Sequence, residues 1–249
     1  DYKNFEEKSQ KAMRLIDDLV DIELEQIKKI INKIENDPEP EHVKKIELDL
    51  WKEYKRTATI GRRTGLGITA LGDAIAFLNI KYGTEEAIKV TEKIYKHLCI
   101  SAYYSSSLMA KERGKFKLYD FNKEIGHPFI ERVWEENPEI KILNEKYGRR
   151  NICLLTTSPA GSVSTLTQTT SGIEPVFMLS YTRRRKISTD SVNSKIDFID
   201  ETGDKWQHYN IFHHGLLKWI DITGEKNIEK SPYYEATSEK INWINKIRM

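Results

Sequence analysis

The chain has 249 residues and a mass of 29.1 kDa, more than one typical domain and fewer than two on a prior of roughly 150 residues per domain. Forty Lys+Arg against 38 Asp+Glu leave a formal net charge of +2, too little to hold a nucleic-acid backbone or an anionic membrane by charge alone. With 39% hydrophobic and 31% charged residues the composition is that of a globular protein able to bury a sizeable core, and no window approaches 18 consecutive apolar residues, so no membrane-spanning helix is expected.

The first elements are helical. Ala12, Ile16, Leu19, Val20, Ile27, Ile30, Ile31 and Ile34 recur at three- and four-residue steps among charged residues. Asp37-Pro38-Glu39-Pro40 ends that helix, and Val43, Ile46, Leu50, Trp51 and Tyr54 restart the spacing. The pattern predicts an antiparallel hairpin of amphipathic helices over residues 1–58.

Arg62-Arg63-Thr64-Gly65-Leu66-Gly67 interrupts the helical pattern before Ile68, Leu71, Ile75 and Leu78 resume it. The glycines are expected at a helix start where two backbones approach closely. Without a third glycine or a Gly-Lys-Ser/Thr ending, this Gly-x-Gly is weak evidence for phosphate binding. Thr84 before Glu85 and Glu86 is a good helix start, because its hydroxyl can accept an orphan amide and the acids complement the dipole. Ile88, Thr91, Tyr95, Leu98, Ala102, Ser105 and Met109 carry one long helix to about Arg113, with Gly114 as its stop. Residues 59–114 thus form a glycine-rich helix start and a helix of roughly 45 Å. From Asp120 to Arg150 the chain is polar, and Pro128 and Pro138 suggest a loop with one or two short helices.

Ile152-Cys153-Leu154-Leu155-Thr156-Thr157 reads as a strand buried on both faces. Directly after it come Ser158-Pro159-Ala160-Gly161-Ser162-Val163-Ser164 and then a Ser/Thr-rich run to Gly172. A buried strand that ends in a Pro/Gly/Ser turn and opens a helix has the elements of an anion site: free amides, the positive end of the helix dipole, a glycine permitting close approach and small hydroxyls. Between Asn151 and Gly172 no charged side chain occurs. On pattern alone, a plain loop capping a helix remains the competing reading.

Three stretches in register resemble the large chains of ribonucleotide reductases, most closely the adenosylcobalamin-dependent class. They are Gly61–Asp73, the run from Ser105 through Leu108 to Gly114, and Gly148–Ser164 closing with Ser171-Gly172-Ile173-Glu174-Pro175-Val176-Phe177. The resemblance spans most of residues 5–182 and weakens beyond. It implies a helix-rich α/β fold, part of the ten-stranded α/β barrel of the ribonucleotide reductase and radical-enzyme type. A barrel strand, phosphate-binding loop and return strand would then occupy 151–182, with a peripheral insertion and helices over 183–249. Residues 1–249 would all belong to one catalytic barrel domain.

The resemblance further implies that Pro159, Ala160, Gly161, Ser162, Val163 and Ser164 grip the substrate's phosphate groups. The B12-dependent family usually reads Pro-Thr-Gly-Ser/Thr here, so Ala160 removes one hydroxyl and leaves the amides. Ser171, Gly172, Glu174 and Pro175 match the loop that returns the chain to the next barrel strand. The implied reaction makes deoxyribonucleotides, a thiyl radical removing the ribose 3′ hydrogen before two thiols supply the electrons that reduce the 2′ position.

Neither cysteine has the Asn-x-Cys-x-Glu pattern of the radical site. Cys99 reads as a small buried hydrophobe on a helix and Cys153 as part of a strand, and both lack CxxC spacing. The radical and redox cysteines are expected upstream, which makes the chain an internal or split portion of a reductase, inactive alone. Its start at Asp1, without Met or a signal-peptide core, fits the same expectation. Adenosylcobalamin is the implied cofactor. The implied partners are a ribonucleotide di- or triphosphate, a dithiol reductant such as thioredoxin or glutaredoxin, the missing parts of the enzyme and, when complete, a second copy as homodimer. No nucleic acid and no membrane are expected, and the two free cysteines suit a reducing, cytoplasmic setting. The competing classes are the iron- or manganese-dependent reductase, whose large chain shares the barrel, and a non-catalytic nucleotide-binding helical module.

Weaker features carry structural expectations. Arg183-Arg184-Arg185-Lys186 is expected in a solvated loop after the return strand. His213 and His214, being adjacent, diverge on a helix and are assigned to packing or surface. Asp197, Asp200, Glu201 and Asp204 lack the spacing of a calcium loop. Arg149 and Arg150 are expected to pair with helix carboxylates.

Overall fold

The computed structural model describes residues 1–187 and 195–249. In chain order the elements are α1 (Tyr2–Glu35), α2 (Glu41–Gly61), α3 (Leu71–Phe77), α4 (Glu85–Arg113), α5 (Pro128–Glu136), α6 (Pro138–Tyr147), α7 (Gly161–Thr167), β1 (Ser180–Lys186), β2 (Phe198–Ile199), β3 (Lys205–Phe212), α8 (His214–Thr223) and α9 (Trp243–Arg248). They group into two compact units, residues 1–67 with 92–158, and residues 68–91 with 159–249.

In the first unit the expected helical hairpin is present. Lys52 reaches Glu35 at 3.8 Å and Arg62 reaches Asp21 at 2.7 Å, so the number rises along α2 as it falls along α1, as an antiparallel pair requires. The buried line of α1 runs Met13, Asp17, Val20, Ile27, Ile31, Ile34. Leu19, expected inside, is half exposed, because the helix turns Met13 and Asp17 inward instead. On α2, Ile46, Leu50 and Tyr54 are exposed, contrary to the expected core stripe, and the half-buried line runs through Leu48, Trp51 and Ala58.

Thr84 caps α4 through its hydroxyl, which accepts the Ala87 amide at 3.3 Å, and Gly114 ends the helix with φ +87°. Pro128 and Pro138 each occupy the first turn of a short helix, where a missing amide hydrogen costs nothing. Ile130, Val133, Trp134, Ile140 and Leu143 are buried on these two helices, which α4 meets through Tyr103 against the Phe129 ring and Ser107 donating to Asn144 at 2.6 Å.

The run 152–157 departs from expectation. Amides of Thr64 and Leu66 donate to the carbonyls of Cys153 and Leu154 at 3.1 and 2.7 Å, and the Thr156 amide donates to Leu66 at 3.0 Å. This is a single parallel bridge, Leu66 with Leu155. Leu154 is buried while Cys153, Thr156 and Thr157 are exposed, so the segment has an inner and an outer face and is not buried on both. Cys153 therefore sits at the surface, and Cys99 is partly buried. The close backbone approach expected of the glycines is present, a Cβ on Gly67 standing 2.5 Å from the Thr156 carbonyl oxygen, but Gly65 and Gly67 flank this bridge and not a helix start, since α3 begins at Leu71.

In the second unit, Ala76, Val176, Leu216, Trp219 and Tyr233 form a core. The sheet is antiparallel in the order β1-β3-β2, with Ser180 opposite Phe212 and Lys186 opposite Trp206. Arg183–Lys186 thus lies within strand β1 and not in a loop, although every residue of that strand is exposed. The expected 183 boundary falls inside this strand. The acidic residues before and after β2 serve the turn into β3: Asp200 accepts the Thr202 and Asp204 amides and the Trp206 indole. Hydrogen bonds from Thr202 and Trp206 pull its carboxyl down to about 2. Among the described residues no helix is long and apolar enough to cross a membrane.

Candidate functional site

The uncharged stretch ends the first unit at Ser158 and opens the second at Pro159. Ala160 has φ −116° and ψ 79°, its amide donates to the Ser171 carbonyl at 2.8 Å, and α7 begins at the next residue. Seven residues later Gln168 closes the helix in the left-handed region. None of the seven residues of α7 is buried.

The hydrogen bonds that close the first turn of α7 start at the Ser164 amide, which donates to Ala160. The amides of Gly161, Ser162 and Val163 precede it and have no carbonyl within the helix to meet, as the start of any helix dictates. All three residues are exposed, and Ser164 is half-buried. Ser164 and Thr165 turn their hydroxyls back onto the Gly161 carbonyl, at 2.8 and 2.9 Å. A Cβ on Gly161 would meet nothing within 4 Å, and its φ is outside the left-handed region. Neither crowding by the protein nor backbone conformation accounts for glycine at this position.

The return loop is built differently. Thr169–Gly172 and Glu174–Met178, with Tyr181, His213 and Ser238, line a cleft of about 400 Å³. Pro159–Ser164 are outside that lining and are linked to it through the Ala160–Ser171 bond. Gly72 permits the backbones to close here, since a Cβ would come within 2.9 Å of the Glu174 carbonyl oxygen. Two further clefts of about 430 and 340 Å³ lie around Lys81–Thr84 with Ile241–Asn245, and around Met178–Ser180 with Tyr234–Thr237.

Beside the first cleft is a polar cluster that the sequence did not announce. Asp73 on α3 is buried, and its Oδ2 accepts the Thr170 amide at 2.8 Å. Oδ1 accepts the Tyr233 hydroxyl at 2.8 Å and faces His213 Nε2 at 2.6 Å. An ionised carboxylate only accepts, so Nε2 carries the proton in this contact. Burial drives the Asp73 carboxyl upward, but the His213 hydrogen bond and charge, the Thr170 amide and the Tyr233 hydroxyl outweigh it and leave the group below its ordinary value. Burial and the neighbouring Asp73 charge push the Tyr233 phenol up. His213 is thus packed, as expected, but against a carboxylate 140 positions away. The one signal in the sequence was Asp73 itself, a charged residue on the apolar line of a short helix.

In the first unit Asp17, Asp18 and Asp21 bring three carboxylates together. Arg62, Arg113 and Arg150 all pair with them, so the cluster is charge-balanced by guanidinium groups. Arg150 therefore pairs with a helix carboxylate as expected. Arg149 pairs with Glu124 and stacks over Tyr103, Phe116 and Tyr119.

The described architecture is that of a helix-rich α/β protein. The chain belongs to the ribonucleotide reductase barrel-domain family, whose family model, described as "Ribonucleotide reductase, barrel domain", matches residues 1–243. A vitamin B12-dependent ribonucleoside-diphosphate reductase of Mycobacterium tuberculosis (strain CDC 1551 / Oshkosh) is 29% identical over 131 residues, 53% of this chain and 16% of the relative. One of the same name from Thermoplasma acidophilum is 25% identical over 173 residues, 70% of this chain and 20% of the relative. A ribonucleoside-diphosphate reductase subunit alpha of Chlamydia pneumoniae is 28% identical over 144 residues, 50% of this chain and 14% of the relative. The chain spans a fifth or less of the length of these relatives.

Proposed function

We propose that the chain is a portion of a ribonucleotide reductase large chain, and that Pro159, Ala160, Gly161, Ser162, Val163 and Ser164 hold the phosphate groups of the ribonucleotide being reduced. The observation that carries this is Gly161. It stands at the start of α7 with open space where a side chain would project, next to amides that no carbonyl of the helix can use. Oriented amides at a helix start bind phosphate, and the residues from Asn151 to Gly172 themselves add no carboxylate to the turn.

The role of this chain's residues is binding and orientation. Amides of Gly161, Ser162 and Val163 would donate to phosphate oxygens, while Ser164, whose amide donates to Ala160 and whose hydroxyl donates to Gly161, would contribute a donor only by turning that hydroxyl from Gly161 to the phosphate. The thiyl-radical chemistry belongs to cysteines outside the chain, consistent with Cys99 and Cys153 lying free and in unrelated surroundings. The ten-stranded barrel is proposed for the whole enzyme, the Leu66–Leu155 bridge supplying one parallel contact of such a sheet.

Within the family, the B12-dependent class is favoured by the Pro-Ala-Gly-Ser turn and by the names of two relatives. Adenosylcobalamin, a corrin ring with a nucleotide tail, is larger than a drug-sized ligand, whereas the three clefts described hold 340–430 Å³, near the lower end of the drug-sized range. They do not fit it, so no cobalamin contact is assigned to these residues and no step is derived through the cofactor. A dithiol reductant of the thioredoxin or glutaredoxin kind, the remaining parts of the enzyme, a homodimeric assembly and a cytoplasmic setting complete the proposal. Exposed Leu15, Leu19 and Ile22 on α1 and Ile46, Leu50 and Tyr54 on α2, apolar at helical spacing, support contact with further protein.

The test is calorimetric titration of the chain and of its Gly161→Val variant with ADP and with adenosine. A Cβ at this position meets no atom within 4 Å, so the variant is expected to fold as the parent and to lose ADP affinity by about tenfold or more, the size of one lost charge-assisted hydrogen bond. Equal ADP affinity in both proteins would count against the assignment.

A further inference from the structure

We infer that Asp73 is the positioning residue of the phosphate turn: its buried carboxylate fixes the return loop at Thr170, and that loop in turn holds the start of α7. The inference rests on the phosphate reading of residues 159–164.

The need for such an anchor follows from α7 itself. A helix that buries none of its seven residues is not placed by packing, so its position depends on the backbone bonds at its ends. At its N-terminal end the Ala160 amide is tied to the Ser171 carbonyl. Ser171 is flanked by residues that α3 holds: the Ala70 amide donates to Thr170 at 3.0 Å and the Leu71 amide to Gly172 at 3.3 Å. Those two bonds use carbonyls of the loop. Asp73 adds the complementary contact by accepting the Thr170 amide at 2.8 Å, so Thr170 is gripped through both of its peptide groups.

Asp73 is itself held in one orientation. Its Oδ1 lies between the Tyr233 hydroxyl and His213 Nε2, at 2.8 and 2.6 Å, which leaves Oδ2 to point at the loop. Gly215 makes room for this arrangement. A Cβ there would come within 2.4 Å of both Asp73 Oδ1 and the Tyr233 hydroxyl oxygen, and within 2.9 Å of His213 Nε2. The cluster therefore has what a positioning device requires: a charged acceptor, fixed by two donors on other segments, aimed at the backbone amide of Thr170, the residue before the Ser171 carbonyl that holds Ala160 in register.

The experiment compares ADP and adenosine binding, by calorimetry, for the chain and for Asp73→Ala and Asp73→Asn. Asparagine keeps one oxygen to accept the Thr170 amide, whereas alanine keeps none. Asp73→Ala is expected to weaken ADP binding by about tenfold while leaving adenosine within about twofold, and Asp73→Asn to restore ADP binding to within about threefold of the parent. Where Asp73→Ala does not fold, a backbone ester at Thr170 deletes only the donor and is expected to give the same selective loss. Unchanged ADP affinity in the alanine or ester variant would overturn the inference, as would equal losses for ADP and adenosine, the mark of a merely structural residue. If the unsubstituted chain fails to distinguish ADP from adenosine, the phosphate reading itself fails, an outcome seen before any variant is made.

Discussion

Asp17 and Arg62, 45 residues apart, form an ion pair in which the carboxylate is fully buried and the guanidinium nearly so, with Nε 2.9 Å from Oδ1 and Nη2 donating to the Asp17 carbonyl at 3.0 Å. Asn151 donates to the same Oδ1 at 2.8 Å and Arg150 to Oδ2 at 3.2 Å. One carboxylate thus joins α1, the end of α2 and the segment that leads to the Leu66–Leu155 bridge. Removing one member of a buried pair leaves the other uncompensated, at a cost of about 3–5 kcal/mol. Asp17→Ala is expected to lower the urea-unfolding free energy by about that much, whereas Asp18→Ala, which breaks a half-exposed pair with Arg113, should cost less than about 1 kcal/mol. Similar losses in the two variants would contradict the network.

The two thiols should differ in reactivity. Burial pushes the Cys99 thiol up to about 11, and Cys153 is exposed. Because the thiolate is the reactive form, native-state alkylation followed by peptide mass analysis should modify Cys153 first and Cys99 only on unfolding. Rapid modification of Cys99 in the folded chain would show that α4 is not packed as described.

Much of the scaffold was legible because local chemistry decides it. Thr84 and Gly114 bracket α4, Pro128 and Pro138 start α5 and α6, and Gly67 lies against the Thr156 backbone, all as cap, ring and absent-side-chain arguments require. What pattern could not deliver are features set by partners distant in sequence. Asp17 breaks the apolar line of α1 and is tolerated only because Arg62 and Arg150 arrive from elsewhere. The arginine run joined a strand because β3 was there to pair with it. The apolar run 152–157 gained one neighbouring strand segment, so its alternate side chains stayed outside. Of the candidate site, residues 159–164 are proposed from composition and resemblance, whereas the contacts of Asp73 with His213 and Tyr233 had no sequence signature, since these residues lie up to 160 positions apart.

Gly215 and Gly161 provide a matched pair of substitutions. Alanine is favoured over glycine within helices by about 1 kcal/mol. Gly161→Ala enters open space and should leave the melting temperature unchanged or raise it. Gly215→Ala must displace Asp73, Tyr233 or His213 and should destabilise by about 1–3 kcal/mol, as overpacking does. Thermal unfolding of the two variants side by side checks this, and a stabilised Gly215→Ala would refute the packing of the cluster.

The Asp73 carboxyl is held below its ordinary value, burial being outweighed by its His213, Thr170 and Tyr233 contacts. The folded chain then binds that proton less tightly than the unfolded chain, so stability rises with pH across this interval. The contribution is complete above the unfolded value near about 3.9 and disappears as pH falls through the depressed folded value. Melting temperatures from about pH 6 to about pH 3 should fall more steeply for the parent than for Asp73→Asn, which has no proton to take up there. Parallel curves would contradict the assignment.

The central claim, that the start of α7 receives a phosphate, is tested most directly by following backbone amide resonances while ADP, and separately adenosine, is added. The amides of Gly161, Ser162 and Val163 are expected to move with ADP, in the direction of stronger hydrogen bonding, and not to move with adenosine. Shifts confined to Arg183–Lys186 on β1, or no shifts at 161–163 at saturating ADP, would contradict it.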